Sequence, residues 1–235
     1  MAFGWGLERE DRLLRAESTF PQLFAPAPDG ELVAIDTETT SLEPRLAELV
    51  AIGAVRLRGN RILTSQRFSA IIKPLGPVSG DSIRIHRLRP VDLAGAVPVE
   101  AALERLIDFV GGRPLVGYYL EFDIAVIDHA LDRWRRILLP NRRIEVSALY
   151  YDWKIGRSQF LRSHGHVDLR FDAILADLDL PRLRKHDALS DAVSAALMYL
   201  KLERLITRQR AARRGPLAAI GRLLPTGRKE GAPRS

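Results

Sequence analysis

The chain contains no cysteine, and its 235 residues include only two methionines. The absence of thiols excludes a disulfide framework, a cysteine nucleophile and any thiolate metal site. A bound metal would therefore need oxygen and imidazole ligands. No uncharged apolar stretch approaches the ~20 residues needed to span a bilayer. The opening MAFGWGLERED becomes acidic and polar within ten residues and has no leader-like apolar run. A cytoplasmic protein with no membrane partner is the expectation. What the chain does have is a 46% hydrophobic composition, enough for a buried core in one compact α/β unit.

The net charge is +7, and its distribution is lopsided. Residues 204–235 carry nine basic side chains against one acid, Glu230, which leaves a body of about −1 over residues 1–203. A basic tail attracts polyanions without regard to sequence, because neutralising phosphates releases counterions. A solubilising terminus is the alternative. Three regions are expected: an N-terminal arm at 1–28, a body at 29–203, and a flexible basic tail at 204–235.

Within the body, Leu32–Thr37, Leu49–Leu57 and Ile62–Ile72 read as strands, the last two joined by an Arg58-Gly59-Asn60-Arg61 hairpin turn. Apolar residues at helical spacing over Val99–Val110 predict a helix stopped by Gly111-Gly112. A short strand at Pro114–Gly117 and a helix over Phe122–Leu138 follow. A further strand at Ile144–Val146 precedes helices near 149–154, 168–177 and 186–206. Antiparallel strands followed by strand–helix alternation predict an α/β fold with a mixed sheet covered by helices.

Three places carry chemistry. Asp36 and Glu38 stand two apart at the end of a buried strand, so both side chains leave the same face. Converging acids repel, and the repulsion is relieved by a raised pKa or a bound cation. Asp123 follows the next apolar strand and falls in the first turn of a helix, where complementing the helix dipole is its plain alternative role. His186, Asp187 and Asp191 open the last long helix, and Asp191 stands among Ala188, Ala192 and Ala195. Each feature alone has an ordinary explanation as a solvated or capping acid. Together, Asp36, Glu38, Asp123 and Asp191 with His186 form a coherent set for phosphodiester hydrolysis. Carboxylates suit hard Mg²⁺ or Mn²⁺, and a histidine titrates near neutrality and can take a proton from water.

The stretches IDTETTSLEP (35–44), LVGYYLEFDIAVID (115–128) and KHDALSDA (185–192) occur in the order and spacing of the DEDDh 3′→5′ exonucleases. The chain resembles that family from about Leu32 to Leu200, and the epsilon proofreading subunit of bacterial DNA polymerase III in particular. The resemblance implies a ribonuclease H-like fold, a five-stranded mixed sheet with helices on both faces, and makes the body an exonuclease domain. It further implies two Mg²⁺ (or Mn²⁺) ions held by Asp36, Glu38, Asp123 and Asp191, with His186 as general base. The expected products are nucleoside 5′-monophosphates from single-stranded or frayed DNA 3′ ends. RNA is the alternative substrate, and a polymerase subunit is an expected partner. A non-catalytic nucleic-acid-binding module is the reading from a different class. By the same resemblance Thr39, Thr40 and Leu42 would pack on the terminal nucleotide, and Asp81 and His86 would lie near its base or sugar. The chain departs from the family at Tyr118-Tyr119, where relatives have His-Asn, and at Arg87, where they have glycine. The two tyrosines either stack on bases or pack between strand and helix. Gln22-Leu23-Phe24 faintly resembles part of a clamp-binding peptide, with a hydrophobic anchor for the arm as the ordinary alternative.

Overall fold

The computed structural model describes residues 4–74, 76, 95–157, 165–184 and 187–214. Asp81, His86 and His186 lie outside them, as does the chain beyond residue 214. The chain opens with helix α1 (Gly4–Thr19) and a 3₁₀ turn at Pro21–Leu23. Strands β1 (Glu31–Thr39), β2 (Leu49–Arg58) and β3 (Arg61–Ile71) follow, then helix α2 (Val99–Val110) and strand β4 (Leu115–Gly117). Helix α3 (Leu120–Arg135), strand β5 (Arg143–Glu145) and helices α4 (Val146–Arg157), α5 (Phe171–Asp177) and α6 (Ala188–Arg214) complete the described structure.

The five strands form one sheet in the order β3-β2-β1-β4-β5. The β3–β2 and β2–β1 pairs are antiparallel, whereas β1–β4 and β4–β5 are parallel. A tight turn suffices for the β2–β3 pair, where Gly59 supplies the positive φ of 57° that the turn requires. Parallel pairing needs a crossover. Helix α3 provides one between β4 and β5. Because β1, β4 and β5 run the same way, the loops leaving their C-terminal ends gather at one edge of the sheet, where α/β sheets place their ligands.

Alternation along β1 separates the two cores. Val33 and Ile35 enter a cluster built with α1, the 3₁₀ turn, α2 and α3, while Ala34 faces a second cluster built with α4, α5 and α6. The sheet is therefore covered by helices on both faces, as the ribonuclease H-like reading requires. The N-terminal segment belongs to the first cluster. Ala16, Phe20 and Leu23 are buried there, Phe20 packs 5.9 Å from the Trp134 ring, and Gln22 donates to Asp108 at 2.7 Å. Leu23 is thus an anchor, not an exposed clamp-binding side chain. At the other end, α6 continues past residue 203 to Arg214, so the first five arginines of the basic segment are helical.

Candidate active site

Strand β1 carries Asp-Thr-Glu, and the pleat divides the three residues between the sheet's two faces. Asp36 and Glu38 share the face of Ala34, toward α6. Thr37 shares the face of Ile35, toward α3. The strand's register against β2 shifts between Glu38 and Thr39, so the irregularity falls at the carboxylates themselves.

The α6 side is assembled by one glycine. Gly53 of β2 pairs with Asp36, and a Cβ placed on it would stand 2.1 Å from the Leu189 nitrogen and 2.2 Å from the Ala188 carbonyl carbon. Only a residue without a side chain lets the first turn of α6 lie directly on β2. Asp187 fixes where that helix starts: its Oδ2 accepts from the Ser190 N–H at 3.1 Å and from the Ser190 hydroxyl at 2.5 Å. Asp187 is therefore a capping acid. Asp191, one turn further on, reaches β1. Ligand oxygens of Asp36, Glu38 and Asp191 all lie within 4.8 Å of one another, the one such group among the described residues.

Asp123 comes from the opposite layer. It lies in the first turn of α3, is buried, and is held by Thr37, whose N–H and hydroxyl both donate to its Oδ1 at 2.9 and 2.6 Å. The middle residue of the Asp-Thr-Glu triplet thus holds the fourth carboxylate. Glu145 sets the start of α3. Its carboxylate, at the end of β5, accepts from the N–H groups of Tyr119 (3.0 Å), Leu120 (2.8 Å) and Ser147 (2.9 Å), and from the Ser147 hydroxyl (2.7 Å). Helix α3 has no capping side chain of its own. Glu145 supplies that cap from a neighbouring strand.

The electrostatics follow from this crowding. Loss of water pushes the Asp36 carboxyl well above the ordinary carboxylate range, and the charges of Asp123, Asp191, Glu38 and Asp187 push it the same way. Burial pushes Asp123 up to about 7; the Thr37 hydrogen bonds oppose the rise, and Glu145 adds to it. Such a cluster is relieved by protons or by a cation. The donor set is all oxygen, which fits a hard divalent ion.

Of the other expected contacts, Thr39 and Thr40 serve the loop after β1. The Thr39 hydroxyl donates to the Ser41 carbonyl at 2.8 Å, and the Thr40 hydroxyl accepts from the Glu48 N–H at 3.0 Å. The loop so formed presents Leu42 to solvent, 78% exposed. The two tyrosines part company. Tyr118 packs edge-on against Phe171 at 5.0 Å and donates to the Leu169 carbonyl at 2.8 Å, whereas Tyr119 is largely exposed. Sequence reasoning missed Thr37, Gly53 and Glu145 as site-building residues. Gly53 had a usable signal, a lone glycine inside an apolar strand. Glu145 had only its place between a short strand and Ser147.

The chain is similar to several known proteins. The chain is 28% identical over 171 residues to the DNA polymerase III subunit epsilon of Rickettsia felis, covering 72% of each chain. The epsilon subunit of Aquifex aeolicus is also 28% identical, over 174 residues that cover 74% of this chain and 81% of that one. A DNA polymerase III of PolC type from Thermotoga maritima is 26% identical, but this chain spans only 12% of its length. Among solved structures, cell-death related nuclease 4 superposes with a TM-score of 0.63 at 16% identity, covering 76% of this chain and 65% of that one. E. coli exonuclease I in complex with a dA16 oligonucleotide gives 0.65 at 16% identity, with 77% of this chain matched to 42% of that one. These two solved structures share the fold of this chain. The family model for RNase_T exonucleases matches residues 33–199, a span that runs from β1 into α6 and contains all four carboxylates, so the chain belongs to the RNase_T exonuclease family.

Proposed function

We propose that the chain is a divalent-metal-dependent 3′→5′ exonuclease that removes nucleoside 5′-monophosphates from single-stranded or frayed DNA ends. The observation that carries this reading is the convergence of Asp36, Glu38 and Asp191 from β1 and α6, with Asp123 held beside them by Thr37. These four would hold two Mg²⁺ or Mn²⁺ ions, which when bound would polarise the phosphodiester and stabilise the charge that develops on it. The chain's own residues do the rest. Thr37 keeps Asp123 oriented, Asp187 and Gly53 fix the position of Asp191, and Leu42 offers an apolar surface to the terminal nucleotide. His186, two residues ahead of α6, is assigned as the base that takes the proton of the attacking water. Its support is its place in KHDALSDA, five residues before Asp191. Asp81 and His86 are assigned to the base or sugar on the resemblance alone. DNA as substrate, and a polymerase subunit as partner, are supported by the relatives named as DNA polymerase III epsilon subunits. None of the described helices is long and apolar enough to cross a membrane.

The test is digestion of 5′-labelled single-stranded DNA and RNA in Mg²⁺, Mn²⁺ or EDTA, beside the Asp36→Ala and His186→Ala variants. The expected result is a metal-dependent ladder from the 3′ end of DNA, reduced by about 10²–10³ or more in either variant. A ladder on RNA alone would transfer the reading to RNA trimming. Full activity in EDTA, or in Asp36→Ala, would overturn it.

A further inference from the structure

Among the described residues three that are not glycine have positive φ: Tyr119 (52°), Arg136 (58°) and Asp179 (52°). Two have routine causes. Arg136 closes α3, with its N–H donating to the Asp132 carbonyl, and Asp179 follows the C-cap of α5, Leu178, with its N–H donating to the Ala176 carbonyl. A left-handed residue is a common way for a helix to stop. Tyr119 is different, because it starts a helix. A residue in that position ordinarily has extended backbone and caps the helix with its own side chain. Tyr119 has φ 52° and ψ 36° and makes no such cap. For a bulky side chain this conformation is strained. It is imposed from outside by Glu145, which holds the N–H groups of both Tyr119 and Leu120.

Burial does not explain the strain. Tyr119 is 56% exposed, while Tyr118 beside it is half-buried and makes the hydrogen bond to Leu169. The Tyr119 ring stands 4.6 Å from the Tyr118 ring at 69°, so one edge-on contact supports it and much of its surface stays open. Its location is the telling part. Tyr119 immediately precedes α3 and stands four residues before Asp123 in the chain. It also leaves the C-terminal end of β4, beside β1, whose own loop presents Leu42. Strained residues that gain no packing concentrate at sites of ligand contact.

We propose that Tyr119 is a stacking platform for a base within the last two nucleotides of a single-stranded 3′ end, held in place by Glu145 and Tyr118. Glu145 and Tyr118 are positioning residues in this scheme, and Tyr119 is the substrate contact. A π-face recognises any base, so the contact strengthens binding without choosing a sequence. The assignment rests on the exonuclease reading above.

The test uses an oligodeoxynucleotide with 2-aminopurine near its 3′ end and a non-hydrolysable terminal linkage, titrated in Ca²⁺ against wild type, Tyr119→Phe and Tyr119→Asn. Stacking quenches the fluorophore, so the readout is binding and not turnover. The expected result is that Tyr119→Asn loses the quench and raises Kd about tenfold, while Tyr119→Phe keeps both. Asparagine is at home in the left-handed region, so the thermal midpoint of Tyr119→Asn should equal or exceed that of wild type. An unchanged Kd in Tyr119→Asn, an equal loss in Tyr119→Phe, or weaker binding accompanied by a lower midpoint would each overturn the assignment. A wild-type protein that does not bind the oligonucleotide sinks the exonuclease reading together with it. Binding indifferent to residue 119 sinks only the role of Tyr119.

Discussion

Strand β1 begins and ends with buried acids, and the two ends treat them in opposite ways. At its start Glu31, 4% exposed, is gripped by Arg58 and by Arg113 Nε at 2.7 Å. Burial alone would raise its pKa, but the two guanidiniums more than reverse that and hold the carboxyl below its ordinary value. At its far end Asp36 and Glu38 meet further carboxylates, and Asp36 is driven upward. The same strand thus carries one acid that stabilises the fold and a group of acids that strains it. The paired end contributes to folding, whereas the crowded end is the kind of arrangement that functional sites concentrate.

The sharpest way to break that comparison is at the stabilising end. Glu31→Ala leaves two cations without their acceptor, one of them mostly buried, and should cost about 3 kcal/mol or more in chemical denaturation. Its rate per folded molecule should match wild type, since Glu31 lies at the opposite end of β1 from the carboxylates. A fall in that rate, with stability intact, would erase the division between the two ends. The contribution of Glu31 is present above its ordinary pKa and lost as pH falls, so the variant should lose least relative to wild type in acid.

Gly53→Ala probes the strained end without touching a charge. Its methyl would collide with the α6 backbone, so the helix must shift and carry Asp191 with it. A displacement near 1 Å is worth about 10²-fold in kcat, with about 1–3 kcal/mol of overpacking cost in stability. A substitution that leaves kcat untouched would show that α6 can move without disturbing the carboxylates.

The smallest effect expected is on the pH dependence of stability. Asp36, Asp123 and also Asp128, whose burial lifts it to about 6, have folded pKa values above their ordinary 3.8. The folded chain therefore holds protons that the unfolded chain has released, and stability falls as pH rises from about 4 toward 7. In EDTA the unfolding midpoint should be a few degrees higher at pH 5.5 than at pH 8. Mn²⁺ should restore it at pH 8, and Asp36→Asn should flatten the profile. A midpoint in EDTA that rises toward pH 8 would mean that the carboxylates are not mutually strained.

Much of this arrangement was legible along the chain because its signals are local. The helix over Val99–Val110 has the bounds its apolar spacing predicts, and the β2–β3 hairpin turns at Gly59-Asn60 as expected. Helix α3 starts at Leu120, two residues before the predicted Phe122. That start is set by Glu145, a residue 25 positions away with no local trace. The long last helix runs to Arg214, not 206, because arginine and alanine sustain a helix that has already packed its first half.

Residue type and spacing by themselves determined which side chains are candidates for the site: two acids on alternate positions of a strand, an acid in the first turn of each of two helices, and no thiol to compete. They determined the fold class too, since the 2.0 and 3.6 periodicities are properties of the chain. Only the tertiary structure decided how those acids meet. It set Asp36, Glu38 and Asp191 together through the missing side chain of Gly53, and it brought Asp123 to them through Thr37 from the opposite layer. It also separated the two adjacent tyrosines, one packed and one open. Periodicity assigns a residue to a face of its own element. Which element that face will meet, and at what distance, depends on contacts between residues far apart in the chain.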